Sequence, residues 1–280
     1  QIVLTAGTLA RQLNDASGSV QRSRTAADQA IAADITSLTS GLDQVAKLNH
    51  RIAVLEADGN DPSALIDERQ KAIDAIARIV PVQEVARSNG TIALFTKEGG
   101  VLLDGSQPTD LSFVMSGSLT VDKSVEAGQL SRLYQNGAQL TAGQMRLFAG
   151  GSLAANFAIR DELAPQVQRE LDAIAFELQG RFASNDVDPS LTPTAPGLFT
   201  DQGERPDISD IAGLAGRIGL NDAVRPEAGG DLWRLRSGIG AITAGPVGDA
   251  SLLGAMKDAL GSAQTPPNGE FSGVSTMAGR

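Results

Sequence analysis

The sequence predicts an α+β multidomain fold, in which an elongated α-helical bundle carries an inserted small β-rich domain. Apolar residues recur at helical spacing through 21–80 and again through 163–182. Between these stretches, from Pro81 onward, short β-prone runs alternate with turn dipeptides. We therefore predict a helical bundle domain over 1–80 and 150–186, an inserted β-rich domain over 81–149, and a mixed region over 187–280.

The first long helix is predicted over 22–57, which contains no proline and one glycine. Its apolar residues recur in steps of three and four with one break of phase, as along a coiled-coil edge. Such a helix is about 54 Å long at about 1.5 Å per residue. Upstream, 1–14 is predicted as a short helix or the tail of a longer one, and 15–19 as a break or weak point. The seam consists of Ile31, Ile35, Leu38, Leu42, Val45, Leu48, Ile52 and Leu55.

A short turn then predicts an antiparallel helical hairpin. Gly59 is placed to end the first helix in a left-handed conformation. Asp61 is predicted to cap the second helix, with Pro62 in its first turn. A connection this short makes the two helices antiparallel neighbours. The apolar stripe of the second helix is Leu65, Ile66, Ile73, Ile76 and Val80.

The inserted region is predicted to consist of short antiparallel strands. Ser88-Asn89-Gly90 is a hairpin signal, and Glu98-Gly99-Gly100 is a second turn. Further strands are predicted at 101–103, 111–115 and 119–121.

Helical spacing returns after Gly150-Gly151, a pair that resembles a hinge. The stripe predicts a third helix that completes a bundle with the hairpin, and Pro165 either begins or kinks it. Beyond it, 187–280 is predicted as loops and short strands, with a helix at 248–260, either packed on the bundle or forming its own small domain. From Gly261 the chain is rich in proline, glycine and serine, which is consistent with truncation or fraying. The third stripe is Leu163, Val167, Leu171, Ile174, Leu178 and Phe182.

Composition excludes several functional classes. The net charge of −10 argues against nucleic acid and against an anionic membrane surface, because both reward positive charge. No apolar run approaches the roughly 20 residues that span a bilayer. The chain has no cysteine, which removes disulfides, thiolate metal sites and thiol nucleophiles. We predict no nucleic-acid and no membrane partner.

The residues with catalytic or metal-binding chemistry do not combine into a site. His50 is the one histidine, and no nucleophile and acid are arranged around it in sequence, so it is interpreted as structural or solvated. The stretch 186–190 resembles the start of a calcium loop but lacks the glycine and glutamate that such a loop requires. No phosphate-binding or dinucleotide-binding glycine motif is present. We predict no catalytic, cofactor-binding or metal-binding residues, no cofactor, and no enzymatic activity.

Two charged clusters remain. Asp67-Glu68-Arg69 lies at the start of the second helix, and Arg160-Asp161-Glu162 lies at the third. Acidic residues near a helix N-terminus are favoured by the helix dipole. The first cluster is interpreted either as a cap with a salt bridge or as a fixed polar contact that sets the register of the hairpin.

Several short stretches carry a family resemblance: 46–52, 64–70, 100–105, 150–153 with 160–162, 171–175, 218–221 and 248–249. In order and spacing they resemble one family, the bacterial flagellar hook-associated protein 1 family of the hook–filament junction. Glu68 and Gln70 stand where the family has Gln and Asp more often, and Ala250 replaces the usual Asn. The family's terminal helical segments are not found, so the chain resembles the core fragment.

The resemblance implies a structural subunit that joins hook to filament and is needed for filament assembly. It implies an extracellular, flagellar location after type III export. It also implies self-association in the flagellum, contacts with the hook protein and the second junction protein, and an export chaperone before assembly. A fragment without the terminal helices is expected to be monomeric in solution.

Two alternatives stay open. One is another flagellar axial subunit: a hook, flagellin-like or second junction protein, with a different order of helices and strands. The other is an extracellular adhesin or ligand-binding module that uses 81–149 as its binding face.

Overall fold

The structure, a computed structural model, describes residues 1–263 of the chain. Long helices and small antiparallel sheets confirm the predicted α+β class. The helices are α1 (Ile2–Ala57), α2 (Ser63–Ile79), α3 (Ala142–Met145), α4 (Gly151–Ala158), α5 (Ala164–Phe182), α6 (Leu214–Arg217), α7 (Arg234–Ser237) and α8 (Ser251–Gly261). The strands are β1 (Val82–Ala86), β2 (Ile92–Thr96), β3 (Val101–Asp104), β4 (Gln107–Pro108), β5 (Leu111–Ser112), β6 (Tyr134–Gln135), β7 (Ala138–Gln139), β8 (Phe199–Asp201) and β9 (Ile218–Leu220).

The described residues form two compact units, one of 22–164 and one of 1–21 with 165–263. Helix α1 contributes to both. The predicted domain bounds divide the chain differently, and they stay a prediction. The predicted tail lies, from residue 264 onward, outside the described residues.

Helix α1 continues through 15–19, so the predicted break is wrong. Asn14 donates to the carbonyls of Ala215 at 2.8 Å and of Ile218 at 3.2 Å. Ser17, which is buried, donates to Oε1 of Gln168 at 3.0 Å. These tertiary contacts hold residues of low helix propensity in a helix, because packing overrides local preference.

In the unit of 22–164, the predicted hairpin is confirmed. The α1 seam from Ile31 to Ile52 is buried, and Gly59 follows the helix with φ +75°. Helix α2 begins at Ser63 rather than Pro62, and Asp61 accepts the Ser63 N–H at 3.0 Å. The α2 stripe is buried only from Ile73 onward, because Leu65 and Ile66 lie at the more exposed start of the helix.

Two antiparallel sheets follow in the same unit. One has the strand order β1-β2-β3-β4, and the predicted turn Ser88-Asn89-Gly90 joins its first two strands, with Asn89 at φ +68°. The other has the order β5-β6-β7. The strand predicted at 111–115 is shortened to β5, and the one predicted at 119–121 is absent. Leu119 instead packs with Val125 and Leu130 in a small cluster, so its apolar character reflects loop packing and not a strand.

Helix α4 packs on α2 in this unit and shares its hydrophobic cluster. A π-helical turn, Ile159–Leu163, continues α4 and directly precedes α5. Pro165 lacks an N–H, and its ring crowds the carbonyl four residues earlier. The wider π turn accommodates it, since the Ala164 N–H bonds to the carbonyl of Ile159 instead.

In the other unit, α5 packs with the first turns of α1. Leu178 and Phe182 share a buried cluster with Ala10 and Leu13. Within the segment predicted at 150–186, the helix that packs on α2 in the unit of 22–164 is α4. Strands β8 and β9 pair antiparallel, and α8 matches the helix predicted at 248–260. Among the described residues, no helix combines the length and apolarity needed to cross a membrane.

Candidate functional site

Arg69 forms the polar centre of the helical hairpin. Its side chain is buried, and one guanidinium nitrogen donates to Asn49 Oδ1 at 2.9 Å and to the Gly90 carbonyl at 2.8 Å. Burial lowers the pKa of Arg69, and the charges of Glu84 and Glu56 oppose that effect. Asp67 and Glu68 are exposed. Of the two interpretations of this cluster, the fixed polar contact between α2 and α1 is confirmed.

Asn49 extends this contact to the first sheet. Its amide nitrogen donates to the Ile92 carbonyl at 2.8 Å and to the Gly105 carbonyl at 3.0 Å. Its Oδ1 also accepts the Ile92 N–H at 3.3 Å. Asn49 therefore joins α1 to β2 and to the turn after β3. Asn49 was not among the residues predicted from the sequence to form a polar contact, although it lies where the apolar seam changes phase.

Arg160 forms a second buried cluster and is 0% exposed. It donates to Asp28 at 2.7 Å, to both carboxylate oxygens of Asp161 at 2.7 and 2.9 Å, and to the Ser131 carbonyl at 2.8 Å. Its guanidinium carbon lies 5.4 Å from the Phe113 ring centroid and 5.1 Å from that of Phe157. Burial lowers the pKa of Arg160, but Asp161 and Asp28 together outweigh burial and raise it.

Arg24 completes the Arg160 cluster from α1. It donates to three carbonyls: Thr120 at 2.9 Å, Lys123 at 2.8 Å and Arg160 at 3.1 Å. Sequence reasoning missed both Arg24 and Asp28. The available signal was their position, because they continue the α1 seam toward the N-terminus in steps of four and three residues before Ile31.

Two buried acids order loops in the unit of 1–21 with 165–263. Asp172 on α5 accepts the N–H groups of Gly213 at 2.7 Å and Ala215 at 2.8 Å, and the Gln168 amide at 3.0 Å. Burial raises the pKa of Asp172, and these three donors only partly oppose it. Asp188 accepts the Ser190 N–H at 3.0 Å and the Ile239 N–H at 2.8 Å.

Arg181 on α5 holds the end of α8. It pairs with Glu177 one turn earlier and donates to the Ser262 carbonyl at 2.7 Å. Burial lowers the pKa of Arg181. A guanidinium at the C-terminus of a helix satisfies carbonyls that have no partner within that helix.

The residues examined for catalysis or metal binding stay apart. His50 is exposed on α1. In the predicted calcium-like stretch, both oxygens of Asp188 are engaged by the hydrogen bonds above. Within 1–263, no three His, Cys, Asp or Glu residues are grouped so as to hold a metal ion. The prediction of no catalytic, cofactor or metal residues stays a prediction.

An apolar groove of about 370 Å³ lies in the unit of 1–21 with 165–263. It is lined by Phe182 and Phe199 and by residues of α1 and α8. On α1, Ile2 and Leu9 are 45% and 39% exposed. Contiguous exposed apolar surface of this kind marks an interaction site more often than single exposed residues do. The groove is also lined by Ala6, Leu9, Leu178, Met256 and Leu260.

Comparison with known proteins agrees with the resemblance seen in the sequence. The family model described as the flagellar hook-associated protein FlgK helical domain matches residues 1–187. The solved structure of the flagellar hook junction protein FlgK from Burkholderia pseudomallei is similar, with a TM-score of 0.55 and 25% sequence identity. That match covers 71% of this chain and 35% of that chain, so the chain spans about a third of that protein. No curated protein matches the chain.

The matched segment runs from the start of α1 to the end of α5, and it includes Asn49, Arg69 and the Arg160 cluster. It covers more than half of the chain. Its family is one of structural flagellar proteins and not of enzymes. This chain therefore belongs to the FlgK family of flagellar hook-associated proteins.

Proposed function

We propose that the chain is the core part of a structural subunit that forms the junction between flagellar hook and filament and is needed for filament assembly. The family match over 1–187 is the observation that carries this proposal. The likeness to a hook junction protein supports it. In this role the protein acts through its shape and surfaces, without a catalytic step or a cofactor.

The buried polar clusters suit such a role. Asn49 and Arg69 tie two helices and a sheet together through side chains that face inward. Arg160 and Asp28 do the same for α1 and the π turn. Removing one partner from a buried ion pair costs several kcal/mol, roughly 3–5, so these contacts specify one arrangement of the elements. A subunit under load in a filament requires such a fixed arrangement.

The proposed partners are those of an axial subunit. They are other copies of the protein, the hook protein and the second hook–filament junction protein, with an export chaperone before assembly. The proposed location is outside the cell, in the flagellum, after type III export. Nucleic acid and membrane are not proposed as partners, since the net charge is −10.

The test is an in-frame deletion of the gene in the bacterium that encodes it, with the intact gene returned as the control. We expect cells that build hooks without filaments, release filament protein into the medium and do not swim. Electron microscopy of the appendages and immunoblots of the medium report these outcomes. The returned gene restores filaments.

Three results would overturn the proposal in different ways. Loss of the hook itself would indicate a hook subunit. Normal filaments and swimming with lost attachment to surfaces would indicate an adhesin. Normal filaments, swimming and attachment would exclude a required flagellar role.

A further inference from the structure

One segment of the unit of 22–164 is held mainly by buried charges. Residues 116–131, here called the strap, contain no helix or strand. The apolar contacts within the strap are confined to one small cluster of Leu119, Val125 and Leu130. The strands on either side of it, β5 and β6, pair with each other. The main hydrophobic cluster includes Leu111 in β5 and Leu133, which directly precedes β6.

Three buried side chains bind the strap at its start, middle and end. Asp28 Oδ2 accepts the Ser116 N–H at 2.8 Å. Arg24 donates to the carbonyls at positions 120 and 123, as described above. Arg160 donates to the Ser131 carbonyl at 2.8 Å.

The three residues that supply these side chains also bind one another. Arg160 pairs with Asp28 at 2.7 Å, and Arg24 donates to the Arg160 carbonyl at 3.1 Å. Arg24, Asp28 and Arg160 are between 0% and 2% exposed. The strap is thus closed over a connected set of charges and not over an apolar core.

Closure of this kind carries a cost that apolar packing does not. Removing charges from water opposes closure, and the hydrogen bonds to the strap must offset that penalty. For Arg24, burial is the largest influence and lowers its pKa. When the strap opens, the charges regain water, so opening costs less free energy than unfolding of the apolar core.

We propose that the strap is a conformational device that opens as one local unit over the Arg24–Asp28–Arg160 cluster while the helices and sheets around it stay folded. The inference does not depend on the proposed function. It assigns to Arg24 a positioning role: its guanidinium fork holds the middle of the strap closed.

Native-state hydrogen exchange on the purified chain tests the proposal in low concentrations of urea. Strap amides with backbone partners, such as those of Gly128 and Gln129, are compared with the sheet amides of Leu94 and Leu103. We expect the strap amides to exchange through an opening that urea barely affects. The sheet amides are expected to follow global unfolding, with a steep dependence on urea.

Arg24→Met then tests the positioning role, since methionine keeps apolar bulk and removes the fork. We expect strap amides to exchange on the order of tenfold faster, a factor that corresponds to the loss of about one hydrogen bond. The exchange rates of the sheet amides are expected to change much less. Arg51→Met, at an exposed position on the same helix, is the matched control and leaves both sets unchanged.

Two results would overturn the proposal. In the wild type, strap and sheet amides could show the same dependence on urea, which would mean that the strap opens only on global unfolding. Alternatively, Arg24→Met could accelerate exchange of the strap and sheet amides equally, which would mean that Arg24 does not hold the strap in particular. If Arg24→Met does not fold, the comparison of strap and sheet amides in the wild type still tests the proposal.

Discussion

Asn49 shows how one side chain can connect three elements. It is buried and takes part in four hydrogen bonds, with Arg69, with both backbone groups of Ile92 and with Gly105. An asparagine amide offers donors and acceptors on one small group, so it can bond to a strand edge much as another strand does. Its position on the apolar seam of α1 therefore serves the sheet as well as the hairpin.

Asn49→Ala is expected to destabilise the protein by about 2–4 kcal/mol, because it leaves backbone groups and part of the Arg69 guanidinium buried without partners. Urea denaturation followed by circular dichroism measures the change. His50→Ala, at the adjacent exposed position, is the control and should stay within about 0.5 kcal/mol of the wild type. Equal effects of the two substitutions would contradict the role given to Asn49.

The raised pKa of Asp172 predicts how the stability of the protein depends on pH. Its pKa is raised on folding because burial outweighs three hydrogen bonds. The folded chain then binds more protons at Asp172 than the unfolded chain does, between the ordinary pKa of about 3.9 and the raised value. The resulting stability is fully present below the ordinary pKa and is lost as pH rises through the folded pKa.

We therefore expect the free energy of unfolding of the wild type, minus that of Asp172→Asn, to fall as pH rises through this window and then to level off. Subtracting the variant removes the effect of the other acids. Urea denaturation at a series of pH values measures the difference. A difference that grows with pH would show that the hydrogen bonds outweigh burial.

At the scale of elements, the junction between α2 and α4 depends on two glycines. Gly150 and Gly151 have φ of +84° and +69°, and a Cβ on Gly151 would lie 2.2 Å from the Ile79 carbonyl oxygen. The predicted hinge-like pair is thus a close contact, at which α4 begins against the end of α2. The backbone of α4 can approach α2 this closely only without a side chain.

Gly151→Ala is expected to cost about 3 kcal/mol or more, since both the left-handed conformation and the contact with Ile79 penalise a Cβ. Gly99→Ala separates the two effects, because Gly99 has φ +91° and nothing within 4 Å of its Cβ position. That control should cost about 1–2 kcal/mol, from conformation alone. Thermal unfolding of both variants measures the contrast, and equal shifts would exclude a packing role for Gly151.

At the scale of the whole molecule, charge governs how copies approach one another. With a net charge of −10, copies repel at low ionic strength. Added salt screens this repulsion, since the Debye length falls from about 30 Å at 0.01 M to about 3 Å at 1 M. The self-association proposed for the assembled flagellum therefore has to overcome a repulsion that depends on salt.

Light scattering on the purified chain should give a positive second virial coefficient at low salt that falls as sodium chloride is added. Sucrose, which leaves charge unscreened, is the control and should not reproduce the fall. A coefficient that does not respond to salt would mean that charge does not limit association of this chain.

Local patterns in the sequence were sufficient to predict the hairpin of α1 and α2, the Ser88-Asn89-Gly90 turn and α8. Apolar spacing and turn chemistry act over a few residues, and they specify an element wherever it forms. The order of such stretches also sufficed to identify the family, which the family model confirms over 1–187.

Only the tertiary structure decided which helix α5 packs against and that α1 continues through 15–19. It also decided that 119–121 forms a loop, and that Arg24, Asp28 and Asn49 are buried. Each depends on groups far apart in the chain: Asn14 meets Ala215 across 201 positions, and Arg160 meets Asp28 across 132. A charged or amide side chain is buried only when such distant partners satisfy it, and spacing along one element carries no record of them.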